Sequence, residues 1–301
     1  MSKGYSKKMM RRAFELRNRG ASFEEIQRVL ERELGHAYTR RTLEDAIYEY
    51  KRDHYQRELL DTGAISYLET RITDETISLL VICDSHVTSV EGARELVDEI
   101  RRTCEAVENP RILFLGDIVQ MDIVKPGSPF GADPMAEMTE LAKIISEFAP
   151  VTVGVVVGNH EERLERVAGI DPMKLFCTLY GVPYLGCAAL IRLSFPWGAR
   201  TIYAIHGSGG GKRIGAKANK LEDLIQVASA DIYLHAHTHE FVVFERYRIE
   251  HGLHGPFVNK LLLVNLPARQ KYPAYVAKRG YPIAGDGIKA IRIALDDTRV
   301  L

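Results

Sequence analysis

The sequence lacks the features of a membrane or secreted protein. None of its apolar runs approaches the roughly 20 residues of a transmembrane helix, and no apolar segment of a signal peptide follows the basic start at residues 1–8. We therefore expect a cytoplasmic protein with no membrane partner. We also expect reduced thiols, and neither disulfides nor a thiolate zinc site, because the few cysteines are far apart and form no Cys-x-x-Cys pair. They are Cys83, Cys104, Cys177 and Cys187.

The chain as a whole has no net charge, but its charged residues are unevenly distributed. The 301 residues hold 40 Lys and Arg against 40 Asp and Glu, and 46% of them are apolar, which is an ordinary globular composition. Residues 1–57 hold 14 basic and 9 acidic residues, a net charge of +5, which leaves −5 on the remainder. A basic segment before an acidic body indicates two modules with different partners.

Residues 1–57 have the pattern of three short helices. Ser22 and Glu25 form a capping box that predicts the start of the second helix, and Gly35 suits its end. Thr39 is a suitable N-cap for the third helix. We therefore predict a small helical domain at 1–57.

From residue 76 onward, short apolar runs alternate with amphipathic stretches. The runs at 77–83, 111–115 and 151–157 predict strands buried on both faces, and the stretches at 91–106 and 134–148 predict helices between them. Further segments that favour strands are 189–195, 200–205, 231–234, 241–247, 260–264 and 288–295.

This alternation predicts an α/β domain with a large mixed sheet system. We expect it to cover residues 73–301, with a linker at 58–72 that joins it to the helical domain.

Polar residues that are unusual in a packed core follow five of the predicted strands. A single Asp or His in such a place is more often a turn, cap or core residue, but five blocks in order are hard to reach by chance. Carboxylates, a carboxamide and imidazoles suit Mn²⁺, Fe²⁺ or Zn²⁺. The blocks are Asp84-Ser85-His86, Gly116-Asp117, Gly158-Asn159-His160-Glu161, His206-Gly207 and His235-Ala236-His237-Thr238-His239.

Two of these blocks place side chains two residues apart. In an extended segment, residues i and i+2 project to the same side of the backbone. We therefore expect Asp84 and His86 to point together, and likewise His237 and His239.

The order of the five blocks resembles the calcineurin-like metallophosphoesterase superfamily over about residues 76–240. The resemblance implies a four-layer α/β/β/α sandwich with two adjacent divalent metals. Mn²⁺ is our first expectation, and Fe, Zn, Ni and Co are the alternatives. By motif, one metal would be held by Asp84, His86, Asp117 and His239, and the other by Asp117, Asn159, His206 and His237, with Asp117 bridging the two.

The implied reaction is hydrolysis of a phosphoester by in-line attack of a hydroxide that bridges the two metals. His160 would lie near the phosphate, as a general acid or as a group that stabilises the transition state. We expect His235 to be a supporting or exposed residue, and Glu161 and Glu162 to orient the loop.

The chain departs from the family pattern at two places. Ala236 stands where the family commonly has a glycine, a small change. The segment 120–122, Gln-Met-Asp, replaces the Asp-Arg-Gly of the phosphoprotein phosphatases, whose arginine binds phosphate. A Ser/Thr protein phosphatase is therefore not expected.

A basic segment that follows His206 is a candidate for contacts with substrate. The glycine-rich residues 207–211 lead to Lys212 and Arg213. This segment either cradles a phosphate or nucleic-acid backbone, or is a flexible loop with a solvated basic end.

The N-terminal helices resemble helix-turn-helix modules of the resolvase or homeodomain type over residues 20–43. The third helix would then read DNA, with Arg40 and Arg41 at its start and Lys51, Arg52 and Arg57 later. The alternative is a helical appendage that packs on the catalytic domain or makes a dimer contact.

Three interpretations remain open at this stage. The first is a phosphodiesterase or nuclease that acts on nucleic acid. The second is a phosphomonoesterase or small-nucleotide phosphatase in which the helices are structural. The third is a DNA-binding regulator with a relic phosphoesterase fold, which the complete set of metal ligands disfavours.

Overall fold

A computed structural model describes most of the chain, in two compact units at Met1–Ala64 and Ile65–Leu301. No helix in the described part is both long and apolar enough to cross a membrane. The described residues are 6–18, 21–47, 50, 65–121, 134–209, 213–252, 255–269 and 287–301.

The first unit contains the three predicted helices: α1 (Lys7–Asn18), α2 (Phe23–Leu34) and α3 (40–47). They bury a small apolar core because each helix presents one apolar face to the other two. The core residues are Met9, Ala13, Ile26, Leu30, Leu43 and Ala46.

The predicted ends of α2 are confirmed. The Glu25 amide donates to Ser22 Oγ over 3.2 Å, and Glu25 Oε2 accepts from the Ser22 amide over 2.7 Å. Gly35 ends the helix at a φ of +70°, a conformation that glycine adopts without steric cost. At the start of α3, the amide of Thr42 donates to Thr39 Oγ1 over 3.1 Å.

The second unit is built on two mixed sheets. The five-stranded sheet has the order β11-β10-β2-β3-β4, and the six-stranded sheet has the order β1-β5-β6-β7-β9-β8. The strands are β1 (Ser66–Arg71), β2 (Ile77–Ile82), β3 (Pro110–Leu115), β4 (Thr152–Val156), β5 (Ala188–Phe195), β6 (Gly198–Ile205), β7 (Ile232–His235), β8 (Val242–Gly252), β9 (Gly255–Asn265), β10 (Lys289–Ile293) and β11 (Arg299–Val300).

Helices cover the outer face of each sheet. On the five-stranded sheet, Phe114 packs in one cluster with Leu96 and Ile144 of the helices. On the six-stranded sheet, Tyr233 packs with Leu221. The helices are α4 (Val90–Ala106), α5 (Pro134–Phe148), α6 (Glu161–Ala168), α7 (Pro172–Tyr180) and α8 (Ile214–Val227), and a 3₁₀ turn at Ala149–Val151 follows α5.

The main core lies between the sheets, where Leu79 and Leu113 of one pack with Ile191, Ile202 and Leu234 of the other. The expected α/β/β/α sandwich with a small helical N-terminal region is therefore confirmed.

Residues 66–71 correct part of the sequence prediction. They fall within the predicted linker at 58–72, yet they form β1, which pairs in parallel with β5. The strand was missed because it lies at a sheet edge, where residues alternate between half-buried and exposed and the apolar signal is weak. Residues 58–64 lie outside the described part of the chain.

The sheet topology places the functional blocks. β2, β3 and β4 run parallel, so their carboxyl ends meet at one edge. β6, β7 and β9 are also mutually parallel neighbours. The two edges meet where the amide of His237, after β7, donates to Asp84 Oδ2, after β2, over 3.0 Å.

Candidate metal centre

The polar blocks converge in three overlapping clusters of His and Asp side chains at this edge. Within each cluster, one potential ligand atom from every residue lies within 4.8 Å of the others. Clusters of this chemistry can hold divalent cations. They are Asp84, His86 and His239; His86, Asp117 and His160; and Asp117, His206 and His237.

The first cluster is compact. His239 Nε2 lies 3.1 Å from Asp84 Oδ1. His86 Nε2 lies 3.3 Å from His239 Nε2 and 3.9 Å from Asp84 Oδ1. Two imidazole nitrogens and a carboxylate oxygen therefore face one small volume.

Asp117 links the other two clusters. Its Oδ2 lies 3.1 Å from His206 Nε2, 3.8 Å from His160 Nε2 and 3.9 Å from His86 Nε2. The rings of His206 and His237 are 5.3 Å apart. One carboxylate oxygen is thus shared between two sets of nitrogen donors, as a bridging ligand requires.

Several atoms of this site are buried without a hydrogen-bond partner among the described residues. They include Asn159 Oδ1 and His237 Nδ1, and also Asp84 Oδ1 and His206 Nε2, whose 3.1 Å contacts with His239 and Asp117 lack the geometry of a hydrogen bond. Orphaned buried polar atoms are rare in proteins and need an explanation such as a bound ion. Because these four are ligand atoms from one cluster of elements, the residues present fit a pair of divalent cations.

The backbone of the site is left-handed where it carries the candidate ligands. Non-glycine residues rarely adopt this conformation, and each costs of order 1 kcal/mol unless the surroundings enforce it. The φ angles are +46° at Asp84, +45° at His86, +54° at Asp117, +63° at His237 and +60° at His239.

These angles correct one step of the sequence argument. Asp84 and His86 share a cluster, but not because they alternate along an extended strand, since β2 already ends at Ile82. His237 and His239 lie in different clusters. The side chains of these four residues are therefore oriented by loops with strained backbones and not by strands.

Glycines leave room for the loops to approach. A Cβ on Gly116 would lie 2.6 Å from the Gly158 Cα and 2.7 Å from His206 Nδ1. A Cβ on Gly158 would overlap the amide nitrogen and Oδ1 of Asp117. The Gly-Asp and Gly-Asn-His blocks therefore contain glycine because their backbones touch.

Alanine at position 158 tests this packing. We expect Gly158→Ala to displace Asp117 and to weaken metal binding by about 10- to 100-fold, the usual result of disturbing the groups that orient metal ligands. Titration calorimetry with Mn²⁺ measures this loss of metal affinity. Gly215→Ala in α8 is the matched control, because apart from its own helix backbone and chain neighbours no described atom lies within 4 Å of a Cβ built there. Wild-type affinity in Gly158→Ala would contradict the packing argument.

Glu161, the first residue of α6, organises the loop after β3. Its fully buried carboxylate accepts hydrogen bonds from the amides of Asp117 (3.0 Å), Ile118 (2.7 Å), Val119 (3.2 Å) and Gly158 (3.2 Å). Burial and the negative charge of Asp117 raise the pKa of Glu161 to about 7. It orients the loop, as expected.

Its neighbour Glu162 does not share this role. It pairs with Arg166 over 2.6 Å and accepts from the Cys187 thiol over 3.1 Å.

Asn265, at the end of β9, is a supporting residue that the sequence argument missed. Its Oδ1 lies 2.7 Å from His235 Nδ1 and accepts from Thr238 Oγ1 over 3.0 Å, and its Nδ2 donates to the carbonyl of Glu240. His235 was predicted to be either a supporting or an exposed residue, and because it is buried, the supporting role is the one that fits. The available signal for Asn265 was a polar residue directly after the apolar run 261–264.

Burial and neighbouring charges shift the pKa values of several residues of the site. Burial and the charge of His160 lower the pKa of His86 to about 3. Burial also acts to lower the pKa of His206, but the adjacent carboxylates of Asp117 and Asp84 outweigh it and raise that pKa to about 9. Burial acts to raise the pKa of Asp117, but the neighbouring imidazoles, His206 first, hold it well below its usual range.

His160 sits at the start of α6, beside the clusters. Its amide donates to Asp117 Oδ1 over 2.9 Å. The Gln120 carbonyl, 2.6 Å from Nδ1, can only accept, so Nδ1 carries a proton. Nε2 then accepts from the guanidinium of Arg163, whose Nη2 lies 2.9 Å away.

The predicted basic contacts are not members of these clusters, and several lie outside the described residues. Lys212 is outside them, as are Lys51, Arg52 and Arg57. Arg213 is exposed at the start of α8. In the first unit, Arg41 is exposed, and Arg40 pairs with Glu44 over 3.0 Å.

No protein-family model and no curated protein sequence matches the chain. Solved structures that resemble it include a conserved protein of Streptococcus pneumoniae TIGR4 described as a predicted phosphoesterase. It has 17% identity and a TM-score of 0.36 over 76% of this chain and 89% of that one.

Two further solved structures resemble the chain. One is a metallophosphoesterase of Sphaerobacter thermophilus, with 18% identity and a TM-score of 0.37 over 74% of this chain and 86% of that one. The other is the NAD nucleotidase of Haemophilus influenzae, with 13% identity and a TM-score of 0.37 over 75% of this chain and 49% of that one.

Proposed function

We propose that this chain is a metal-dependent phosphoesterase with a two-metal centre. The observation that carries the proposal is the single buried oxygen, Asp117 Oδ2, that lies within 4 Å of nitrogens from His86, His160 and His206. A carboxylate between two sets of nitrogen donors is the core of a site that binds two neighbouring cations.

Each cation has its own set of ligands in this proposal. The first is held by Asp84, His86, Asp117 and His239, and the second by Asp117, Asn159, His206 and His237. When bound, such a pair of cations activates water for in-line attack and neutralises the charge that develops on the phosphoryl group. The set has no thiolate, which supports Mn²⁺ first and Fe, Zn, Ni or Co as alternatives.

The chain's own side chains supply orientation and proton control. The His160 amide holds Asp117 Oδ1, so that Oδ2 stays directed at the histidines. The backbone carbonyl of Gln120 binds Nδ1 of His160 and so fixes the orientation of the ring. The other ring nitrogen, Nε2, is then directed toward the clusters and lies 3.8 Å from Asp117 Oδ2. There it can act on an oxygen of the phosphoester, as an acid or as a hydrogen-bond donor, once it carries a proton.

The substrate that we favour is a phosphodiester of nucleic acid. The net charge of +5 on residues 1–57 and the exposed Arg41 in the three-helix unit support an affinity for the phosphate backbone. The alternative is a phosphomonoester or small nucleotide, with the helical unit structural.

Hydrolysis of two model substrates separates these alternatives. We expect Mn²⁺-dependent cleavage of bis-p-nitrophenyl phosphate to exceed that of p-nitrophenyl phosphate. A preference for the monoester would favour the phosphatase alternative. Cleavage of neither, with no metal bound, would refute the phosphoesterase proposal and favour a DNA-binding role alone.

The nucleic-acid proposal has its own test. The double variant Arg40→Ala, Arg41→Ala should weaken DNA binding and reduce its dependence on salt. The double variant Arg11→Ala, Arg28→Ala on the other two helices is a charge-matched control. Equal loss in both variants would indicate a general effect of charge, and loss in neither would leave the helices structural.

A further inference from the structure

The loop after β3 is held by a second buried carboxyl group besides that of Glu161. Glu137 lies in the first turn of α5 and is buried. Its Oε2 accepts a hydrogen bond from the amide of Met121 over 2.5 Å. One turn further along the helix, Leu141 packs in the same apolar cluster as Met121. The contact with the loop is therefore made from the buried face of α5.

The amide of Met121 belongs to the same peptide group as the carbonyl of Gln120. That carbonyl lies 2.6 Å from Nδ1 of His160 and accepts a hydrogen bond from it. The peptide group between residues 120 and 121 is therefore bound at both ends, at its N–H by Glu137 and at its C=O by His160. Because a peptide group is planar, a contact that fixes the direction of its N–H also fixes the direction of its carbonyl.

The backbone at this peptide group has a conformation that its surroundings must enforce. Met121 has a φ of +43°, in the left-handed region that residues other than glycine rarely adopt. Such a conformation persists only where neighbouring contacts determine it. The hydrogen bond to Glu137 is one of these contacts, and the amide of Gln120, which donates to the carbonyl of Val87 over 3.1 Å, is another.

We propose that Glu137 is a positioning residue for His160 and acts through the peptide group between residues 120 and 121. By holding that group, it directs the Gln120 carbonyl at Nδ1 and keeps Nε2 directed toward the clusters, 3.8 Å from Asp117 Oδ2. Nε2 is the nitrogen proposed to act on an oxygen of the phosphoester, so the inference rests on the proposed function. Glu137 is not a member of the three clusters, and its effect reaches the substrate through His160.

Glu137→Ala tests the proposal through the separate values of kcat and KM. We expect kcat for bis-p-nitrophenyl phosphate to fall about 10- to 100-fold, a part of the roughly 100- to 10,000-fold that a positioned acid or base contributes. The KM and the affinity for Mn²⁺ should change little, because the proposed metal ligands are unaltered. Glu137→Gln should recover most of kcat, since its amide oxygen can still accept from the amide of Met121.

A double variant distinguishes an effect through His160 from general damage. Residues that act as one unit have effects that are not additive. We therefore expect kcat of the double variant Glu137→Ala, His160→Gln to match that of His160→Gln alone within about threefold. Glu140→Ala is the matched control, a buried glutamate on the same helix that pairs with Lys143 over 2.6 Å, and it should leave kcat unchanged.

Nuclear magnetic resonance of the metal-free protein, labelled with ¹⁵N in its histidines, tests the contact without turnover. The His160 signals are identified by their absence from the spectrum of His160→Gln. We expect the Nδ1 signal to move in Glu137→Ala, because the carbonyl that accepts its hydrogen bond moves, and to stay in place in Glu140→Ala.

Three results overturn the inference: an Nδ1 signal that does not move, a rise in KM with kcat unchanged, or a further loss in the double variant beyond threefold. The resonance experiment tests the role of Glu137 even if the wild type shows no turnover, a result that would refute the proposed function instead.

Discussion

Asp117→Asn should lower Mn²⁺-dependent hydrolysis about 100- to 1,000-fold, the scale of losing one principal electrostatic element of an active site. The reason lies in the fixed orientation of the side chain. The His160 amide needs an acceptor at the Oδ1 position, 2.9 Å away. The asparagine oxygen would take that place, and its NH₂ group would then occupy the Oδ2 position. A donor would stand where both proposed metals need a lone pair.

Calorimetry with Mn²⁺ on the same variant shows whether activity falls because metal binding is lost or although the metals are still bound. We expect both sites to weaken, because the replaced oxygen serves both. Asp98→Asn on α4 is the control, a carboxylate whose side chain is 57% exposed and which pairs with Arg101. Full activity in Asp117→Asn would refute the bridging role of this residue.

Glu161→Ala should lower the free energy of unfolding of the second unit by about 4 kcal/mol or more, at roughly 1 kcal/mol or more for each buried amide left without an acceptor. The four amides belong to Asp117, Ile118, Val119 and Gly158. Because three of them form the loop that carries Asp117 and the fourth, that of Gly158, lies against it, activity should fall together with stability. Urea denaturation followed by fluorescence and circular dichroism measures the loss.

Glu162→Ala is the matched control for this variant. It changes the next residue of the same helical turn, but Glu162 pairs with Arg166 at the surface, a type of ion pair worth about 1 kcal/mol or less. Similar losses in the two variants would show that Glu161 does not organise the loop.

The fold was largely predictable because its central strands are continuous apolar runs. The segments predicted at 77–83, 111–115 and 151–157 became β2, β3 and β4 with shifts of one residue at most ends. The edge strand β1 was missed, since a strand with one half-buried face carries little apolar signal. Helices α6 to α8 were missed for a similar reason: short amphipathic segments among many strands have weak periodicity.

The site was predictable as a set of residues but not as a geometry. The order of the five polar blocks identified the side chains that meet at the sheet edge. It did not reveal that Asp84, Asp117 and His237 have left-handed backbones, because a single aspartate or histidine carries no sign of its φ angle. Supporting contacts such as that of Asn265 depend on side chains distant in sequence, which pairing of β7 with β9 brings together.

The proposed function requires that these loops hold two metal ions, and the number of ions bound can be counted. Titration calorimetry with Mn²⁺, checked by elemental analysis of the dialysed protein, gives the number bound per chain. We expect two ions for the wild type and one for His206→Ala, which keeps the proposed ligands of the first metal. A wild-type protein that binds one ion or none would contradict the proposed function.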